Sequence, residues 1–497
     1  MKMSKRTLSL LLALALSSAA LASCGSTESQ SDVTSTSSDA SDETTPEPVD
    51  TSDRSGVPDG TDLGGADINI WYTVNGTNYT DIAGEQTGDV LDDAVYSLNL
   101  AVQENLNCNL NLVTTGCDQR NCNTEISKLL LADDTSYDAF FATQWSGGQL
   151  VSEGLYLNIA DAPYLSLDKP WWDLGYMREM SVGNNRIYTL VGDYAIDRTR
   201  YLTCVYYNKN LWNDFYGDPN GLYDSVEKGE WDYDMLARVS SDVYQDLNND
   251  GKIDRDDRLG TVLCWNDDIM SLLFCSGARI TERDKDGIPH IVMNSERTMN
   301  VISDLFTLAK KSDGIFYGDK EESIEAGLNS AKFVSGTSLF MFGQFTTAEL
   351  LREMTDDYGI VPIPKYNKEQ ENYFSTVYEV MRFMALPYNC QKTDAVCAVL
   401  EEMAFRGYND VLPVYYETVL KNKYARDDIS ARMIDMIRSN LTADIAVIYG
   451  SGFGGLCYAP REQIKRGSGE FASKFASMEK KATAESEKLI ARFMDLE

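Results

Sequence analysis

The stretch Ala66-Asp67-Ile68-Asn69-Ile70-Trp71-Tyr72 alternates polar and apolar side chains. That period of two predicts a β-strand opening the folded body. A Gly/Asn/Thr-rich loop follows (Asn75 to Gly88), then a helix from about Asp89 to Asn105 with Val90, Ala94, Leu98 and Val102 on one stripe. A second strand, Cys108 to Val113, and a second helix, Asn123 to Ala132, precede Tyr137-Asp138-Ala139-Phe140-Phe141-Ala142. Strand, helix, strand, helix, strand is an α/β order, which implies a mainly parallel sheet with crossover helices. Ligands of open α/β sheets bind beyond the carboxyl ends of the strands. Trp71-Tyr72 and Thr143-Gln144-Trp145 are therefore candidate contacts.

Upstream, residues Gly25 to Asp62 are Ser, Thr, Asp, Glu and Pro with almost nothing to bury. Such a segment cannot offset its own chain entropy, so residues 24–63 read as a disordered tether. Before it come Lys2, Lys5, Arg6 and an apolar run from Leu8 to Leu16. This is the anatomy of a secretory signal peptide over residues 1–23, too short for a permanent membrane helix. Its end, Leu21-Ala22-Ser23-Cys24, resembles a bacterial lipobox. The resemblance implies cleavage before Cys24 and a diacylglyceryl group on its sulfur. Each buried CH₂ of such a lipid contributes about 0.8 kcal/mol, enough with two or more chains to hold a protein on a membrane. The implied location is the extracellular face of the bacterial cell membrane, with the lipid as the only membrane contact.

A chain of 497 residues, 43% hydrophobic and 24% charged, has enough apolar material for a large core and two or more domains. Its net charge of −33 repels nucleic acid and anionic lipid surfaces, and favours cations and neutral ligands. The single histidine, His290, lies in a short strand after a turn and reads as a surface residue. One histidine removes most hydrolytic triads and most zinc sites. Ten cysteines, nine once Cys24 is lipidated, do not make a disulfide framework. Cys117 and Cys122 read either as a pair, with each other or with Cys108, or as buried or idle thiols. Cys390 and Cys397, seven apart, are expected on the core face of one helix.

Downstream, Val182-Gly183-Asn184-Asn185-Arg186-Ile187-Tyr188 carries a hairpin signal, and an apolar strand from Leu202 runs into Asn208-Lys209-Asn210-Leu211-Trp212. Five motifs then fall in order: Pro170-Trp171-Trp172, Tyr207-Asn208-Lys209-Asn210-Leu211, Leu222 to Asp232, Ser335 to Gly343, and Tyr358 to Tyr366. In this the chain resembles the extracellular solute-binding proteins of ABC importers, family 1, the oligosaccharide branch that includes maltose-binding protein. The likeness spans about residues 66 to 497. It implies a two-lobe, periplasmic-binding-protein-like (type II) α/β fold with hinge-crossing strands and a ligand cleft. By that fold, lobe 1 takes residues 66–195 and 378–428, and lobe 2 takes 196–377 and 429–497. The amphipathic closing helix, from Ser468, is expected against the second lobe. Where the family usually has Thr after Gly-x-Trp, this chain has Asp232, which caps a helix equally well.

The sharpest local motif is Asp246-Leu247-Asn248-Asn249-Asp250-Gly251-Lys252-Ile253-Asp254-Arg255-Asp256-Asp257. Oxygen-bearing side chains at positions 1, 3, 5, 9 and 12, with Gly at 6, match an EF-hand calcium loop. The expected ligands are Asp246, Asn248, Asp250, the Lys252 carbonyl, Asp254 and Asp257, with Ca²⁺ as a structural clip. Asp257 stands where such loops usually carry Glu.

Sugars present apolar C–H faces and a rim of hydroxyls, so a carbohydrate cleft needs aromatic platforms with a few amides and carboxylates. The candidate ligand residues are Trp71, Gln144, Trp145, Trp265, Asn266, Asp267, Phe342 and Phe345, with Tyr449 and Phe453 behind them. Trp171 and Trp172 read as packing residues. Gly450 to Gly455 reads as a flexible lobe-connecting segment, since it lacks the Lys-Ser/Thr of a phosphate loop. The function the resemblance implies is a monomeric, non-enzymatic receptor that binds a carbohydrate and delivers it to ABC permease subunits. The alternatives are a glycoside hydrolase with paired carboxylates, a receptor for peptides or other solutes, and a calcium-dependent adhesion module.

Overall fold

The computed structural model describes residues 54–74, 82–264, 266–318, 327–351, 354–417 and 428–496. Residues 1–53, which hold the expected signal peptide, Cys24 and most of the expected tether, and Trp265 lie outside the described residues. The strands are β1 (Ala66–Tyr72), β2 (Cys108–Val113), β3 (Ala139–Thr143), β4 (Thr203–Asn208), β5 (Leu259–Cys264), β6 (Thr281–Arg283), β7 (Pro289–Ile291), β8 (Ile315–Gly318), β9 (Ser338–Gln344), β10 (Tyr358–Val361) and β11 (Arg382–Ala385). They form a four-stranded sheet in the order β11-β3-β1-β2, a five-stranded sheet in the order β10-β4-β9-β5-β8, and the small β6-β7 hairpin.

The opening α/β pattern folds as its sequence dictates. β1 runs parallel to β2 and to β3, pairing Ile68 with Leu110 and Trp71 with Phe140. The first crossover helix, Val90–Leu106, is capped by Asp89, whose carboxylate accepts from the amides of Leu91 and Asp92. Its buried stripe is Leu91, Val95, Leu98 and Val102, one residue on from the expected phase at its start. Val90 is 57% exposed. In the five-stranded sheet β5 is parallel to β8 and β9, whereas β4 is antiparallel to both β9 and β10.

Two antiparallel segments join the sheets. Leu190 bridges Met384 at one end and Leu202 bridges Val377 at the other. Arg382 clasps the pair: its Nε and Nη2 each donate to the Asp197 carboxylate at 2.8 Å, and its Nη1 donates to the Thr73 carbonyl at 3.0 Å. Nearby, Arg198 donates to Asp193 at 3.0 and 3.1 Å, and Arg438 donates to the same carboxylate at 2.6 Å. Arg200 grips Glu349. Buried guanidinium–carboxylate pairs with this geometry fix register between elements.

The body begins earlier than expected. Arg54 to Leu63, read as tether, packs on the folded core, where the Gly56 amide donates to Glu401 at 2.9 Å. A Cβ on Gly56 would lie 2.2 Å from the Tyr164 carbonyl oxygen, so only glycine permits this approach. Glu401 is fully buried and also accepts from Ser166 N, Trp171 Nε1 and Trp172 Nε1. The Trp171-Trp172 pair is therefore structural: two indoles and two amides satisfy one buried carboxylate.

Of four further expectations, three are corrected. The closing helix, Ala472–Met494, packs mainly on Gly450–Phe453, residues assigned to lobe 2 as expected, and also reaches Tyr188 through Phe493 and the turn Gly148–Glu153, residues assigned to lobe 1. Gly450 to Tyr458 is not a slack connector. It forms two tight turns under that helix, with the Gly452 α-carbon so near Leu489 that a Cβ would lie 2.7 Å away. Residues 182–188 make a turn without a paired ladder. The nine cysteines of the described residues are free, and Cys390 precedes the helix Thr393–Arg406 that carries Cys397. His290 is exposed and pairs with Asp284 at 2.9 Å.

Candidate functional site

Several segments converge where the carboxyl ends of β3, β5 and β9 and the amino end of β4 meet the crossing strands. They line a shared cavity that opens to solvent. β3 ends at Thr143 and passes into a helical turn, so Gln144 leaves the four-stranded sheet at the cavity wall. From the other sheet, the helix Asp267–Cys275 follows β5 and presents Asp267, Met270 and Phe274, with Asn266 just before it. Gln344 and Thr203, register partners of β9 and β4, supply the base. The crossing segment adds Thr376 to Glu379, and the chain after Asn440 adds Thr442, Ile448, Tyr458 and Arg461.

The polar groups here are conspicuously uncommitted. Gln144 is 3% exposed; its Oε1 accepts from the Tyr176 hydroxyl, and its Nε2 has no acceptor among the described residues. Asn266 Oδ1 and Thr442 Oγ1 are buried with no partner among them either. The Gln344 amide and the Glu379 carboxylate, both half-buried, also line the cavity without a side-chain hydrogen bond among the described residues. Buried polar groups are normally satisfied, so a cluster like this has the donors and acceptors a hydroxyl-bearing ligand needs. Phe274, Val377 and Ile448 supply the apolar surface that sugar C–H faces require.

Charge in the cavity is asymmetric. Burial, then the charge of Glu379, pushes the Asp267 carboxyl up to about 7, against the pull of Arg461. Burial also raises Glu379, again opposed by Arg461. Asp268, one residue on, is raised to about 8 by burial, although it accepts from the Cys264 amide at 2.7 Å. The Arg461 guanidinium stacks 4.5 Å from the Tyr458 ring centre.

Of the residues singled out from sequence, Gln144, Asn266 and Asp267 come together in this cavity. Trp71 does not. It is fully buried in the four-stranded sheet with its ring 6.0 Å from Phe140, on the strand stretch Ile70-Trp71 whose side chains both face core. Phe342 and Phe345 are core residues of the five-stranded sheet, and Tyr449 and Phe453 are buried beneath the closing helix. Trp145 is 39% exposed and its amide donates to the Glu379 carbonyl, which puts it beside the lining rather than in it. Tyr176, Gln344, Thr376 to Glu379, Tyr458 and Arg461 were missed. The polar run Thr376-Val377-Tyr378-Glu379, between two apolar strands, was the available signal.

In the 246–257 loop the carboxylates are turned onto the loop's own backbone. Asp246 accepts from Asn249 N at 2.6 Å and Gly251 N at 2.9 Å, Asp250 from Lys252 N, and Asp254 from Asp256 N. Asn248 Oδ1 accepts from Asp250 N at 2.9 Å. Buried Asp257 accepts from Leu247 N, Asp254 N and the Tyr244 hydroxyl. Among the described residues no three His, Cys, Asp or Glu side chains are gathered as a metal site. The entering helix is Tyr233–Val243, capped by Asp232.

Two sheets, two crossing segments and a cavity at the strand ends define the two-lobe fold of ABC solute-binding proteins. Solved structures of that class align with nearly the whole folded body. The ABC substrate-binding protein Lmo0181 from Listeria monocytogenes, in complex with cycloalternan, covers 87% of this chain and 100% of its own at 12% identity, with a TM-score of 0.50. UgpB from Mycobacterium tuberculosis, bound to glycerophosphocholine, covers 86% and 100% at 14% identity, with a TM-score of 0.53. The maltose-binding protein MalE from Listeria monocytogenes, bound to maltose, covers 86% and 98% at 13% identity, with a TM-score of 0.52. At these identities the likeness is one of fold. No protein-family model and no curated protein matches the chain.

Proposed function

We propose that this protein is a solute-binding receptor of an ABC importer that holds a carbohydrate in the cavity between its lobes. The observation that carries this reading is the cluster of uncommitted amides, hydroxyls and carboxylates at Gln144, Asn266, Gln344, Glu379 and Thr442, set against apolar walls. Structures of the same fold bound to cycloalternan and maltose support it. The receptor works outside the cell as a monomer, tethered through lipid on Cys24, and delivers its ligand to permease subunits. The lipobox-like Leu21-Ala22-Ser23-Cys24 supports the anchor. Among the described residues no helix is long and apolar enough to cross a membrane. Binding is completed by hinge closure about the segments clasped by Arg382 and Asp197. Calcium on the 246–257 loop belongs to the same proposal, as a clip supported by the spacing of its oxygen ligands.

A second reading has one observation in its favour. Asp267, held up at about 7, shares the cavity with Glu379, and hydrolases of glycosides work with an acid pair of unequal pKa. The deciding experiment is calorimetric titration of the full chain with a panel of mono- and oligosaccharides, followed by product analysis of each mixture. Saturable binding with the sugar recovered intact is expected. Turnover replaces the receptor with a hydrolase, and no heat with any sugar removes the carbohydrate reading.

A further inference from the structure

The carboxylates around the cavity divide into two kinds. Asp444 is committed: it accepts from Ile280 N, Thr281 N, the Thr281 hydroxyl and Ala446 N at 2.8 to 3.0 Å. Asp268 holds the Cys264 amide. Asp267 and Glu379 are different. Asp267 receives one hydrogen bond, from the amide of its neighbour Asn266 at 2.6 Å, and Glu379 receives none among the described residues. Both line the cavity, and Arg461 is the only cationic side chain among its described lining residues.

Two carboxylates facing one guanidinium leave the site short of a positive charge. Resting on the carbohydrate-receptor reading above, we infer that the ligand carries a protonated amine, seated between Asp267 and Glu379, so that the preferred class is an amino sugar or an oligosaccharide containing one. The hydroxyls of such a solute meet Gln144, Gln344 and Thr442, and its ammonium, with three donors and no acceptor, meets the two acids. Burial is the main cause of the raised Asp267 pKa, and the nearby Glu379 charge, only partly offset by Arg461, adds to it. The net charge of −33 draws a cation toward the mouth.

The test is isothermal titration of the full chain with three probes of matched length: a glucosamine disaccharide, its N-acetylated form and the neutral glucose disaccharide. The amine form is expected to bind at least tenfold more tightly than either, which is about 1.4 kcal/mol. Asp267→Asn and Glu379→Gln, each checked for an unchanged melting temperature at pH 5, are expected to remove that preference and keep residual affinity for the neutral sugars. Binding of the amine also expels the proton from Asp267. The proton released by Asp267 is read as the difference in net proton exchange between the parent and Asp267→Asn, from titrations in buffers of different ionisation heat, which cancels the proton taken up by the amine itself. Equal affinity for amine and acetylated forms, or the same net proton exchange in the parent and in Asp267→Asn, overturns the inference and leaves a neutral-sugar receptor standing. Silence with all three probes overturns the inference, and silence with the wider mono- and oligosaccharide panel as well overturns the carbohydrate reading itself.

Discussion

Replacing Arg382 with methionine removes the clasp between the crossing segments and leaves Asp197 buried without its counter-charge. The two side chains are 3% and 4% exposed, so solvent does not screen the loss. Breaking a buried pair from one side costs about 3–5 kcal/mol. The Thr73 carbonyl loses its donor as well, which adds about 1 kcal/mol. A body of roughly 440 residues unfolds with an entropy near 0.9 kcal/mol/K, so a loss of about 4–6 kcal/mol lowers the melting temperature by about 4–7 °C. Scanning calorimetry of the full chain reads this directly. Asp197→Leu combined with Arg382→Met removes both charges and is expected to melt within about 2 °C of the parent, because well-packed apolar replacements of a buried pair are close to neutral. A shift under 1 °C in the single variant refutes the clasp. A double variant as unstable as the two singles summed refutes the pairing.

Three other outcomes follow from the same geometry. Glu401→Leu strands two indole N–H groups and two amides; it is expected to melt about 3–5 °C lower and to open Arg54–Leu63 to limited proteolysis, and an unchanged digestion pattern counts against the docking. Asp267 has a folded pKa of about 7 against 3.8 unfolded, so the native state binds the proton more tightly and is progressively destabilised as pH rises from about 4 to 7. Asp267→Asn should therefore stabilise the unliganded protein at pH 8 and do little at pH 4; equal effects at both contradict the assignment. Calcium at 5 mM, acting on a loop of the expected 10⁻⁴–10⁻³ M affinity, is expected to raise the melting temperature by roughly 1–2.5 °C in the parent and not in Asp246→Ala. Identical traces with and without calcium remove the ion.

The α/β frame is legible in the sequence because its signals are local. The alternation at Ala66–Tyr72, the cap at Asp89 and the cap at Asp232 each fix an element without help from distant residues. The site is less legible because its residues arrive singly from separated segments. Thr203, Gln344 and Arg461 each sit in an ordinary local context and acquire meaning only from the fold. Aromatic residues misled in a specific way. At the strand ends of a two-sided sheet, Trp71, Phe342 and Phe345 are worth more as core than as platform, and nothing in their spacing separates the two uses. Polar residues near the strand ends, Gln144, Asn266 and Asp267, do line the cavity, since such side chains have little place in a core. The tight turns at Gly450 to Tyr458 were hidden by composition: a glycine run reads as slack until Leu489 and Ala482 are seen pressing on it.

Hydrogen–deuterium exchange with and without a saturating carbohydrate tests the location of the ligand most directly. The expected result is slowed exchange in peptides covering Gln144–Gly148, Asn266–Phe274, Thr376–Glu379 and Tyr458–Arg461 together, with the 246–257 loop unchanged. Saturable binding that protects none of these four, or protection confined to the outer surface of one sheet, contradicts a ligand site between the lobes.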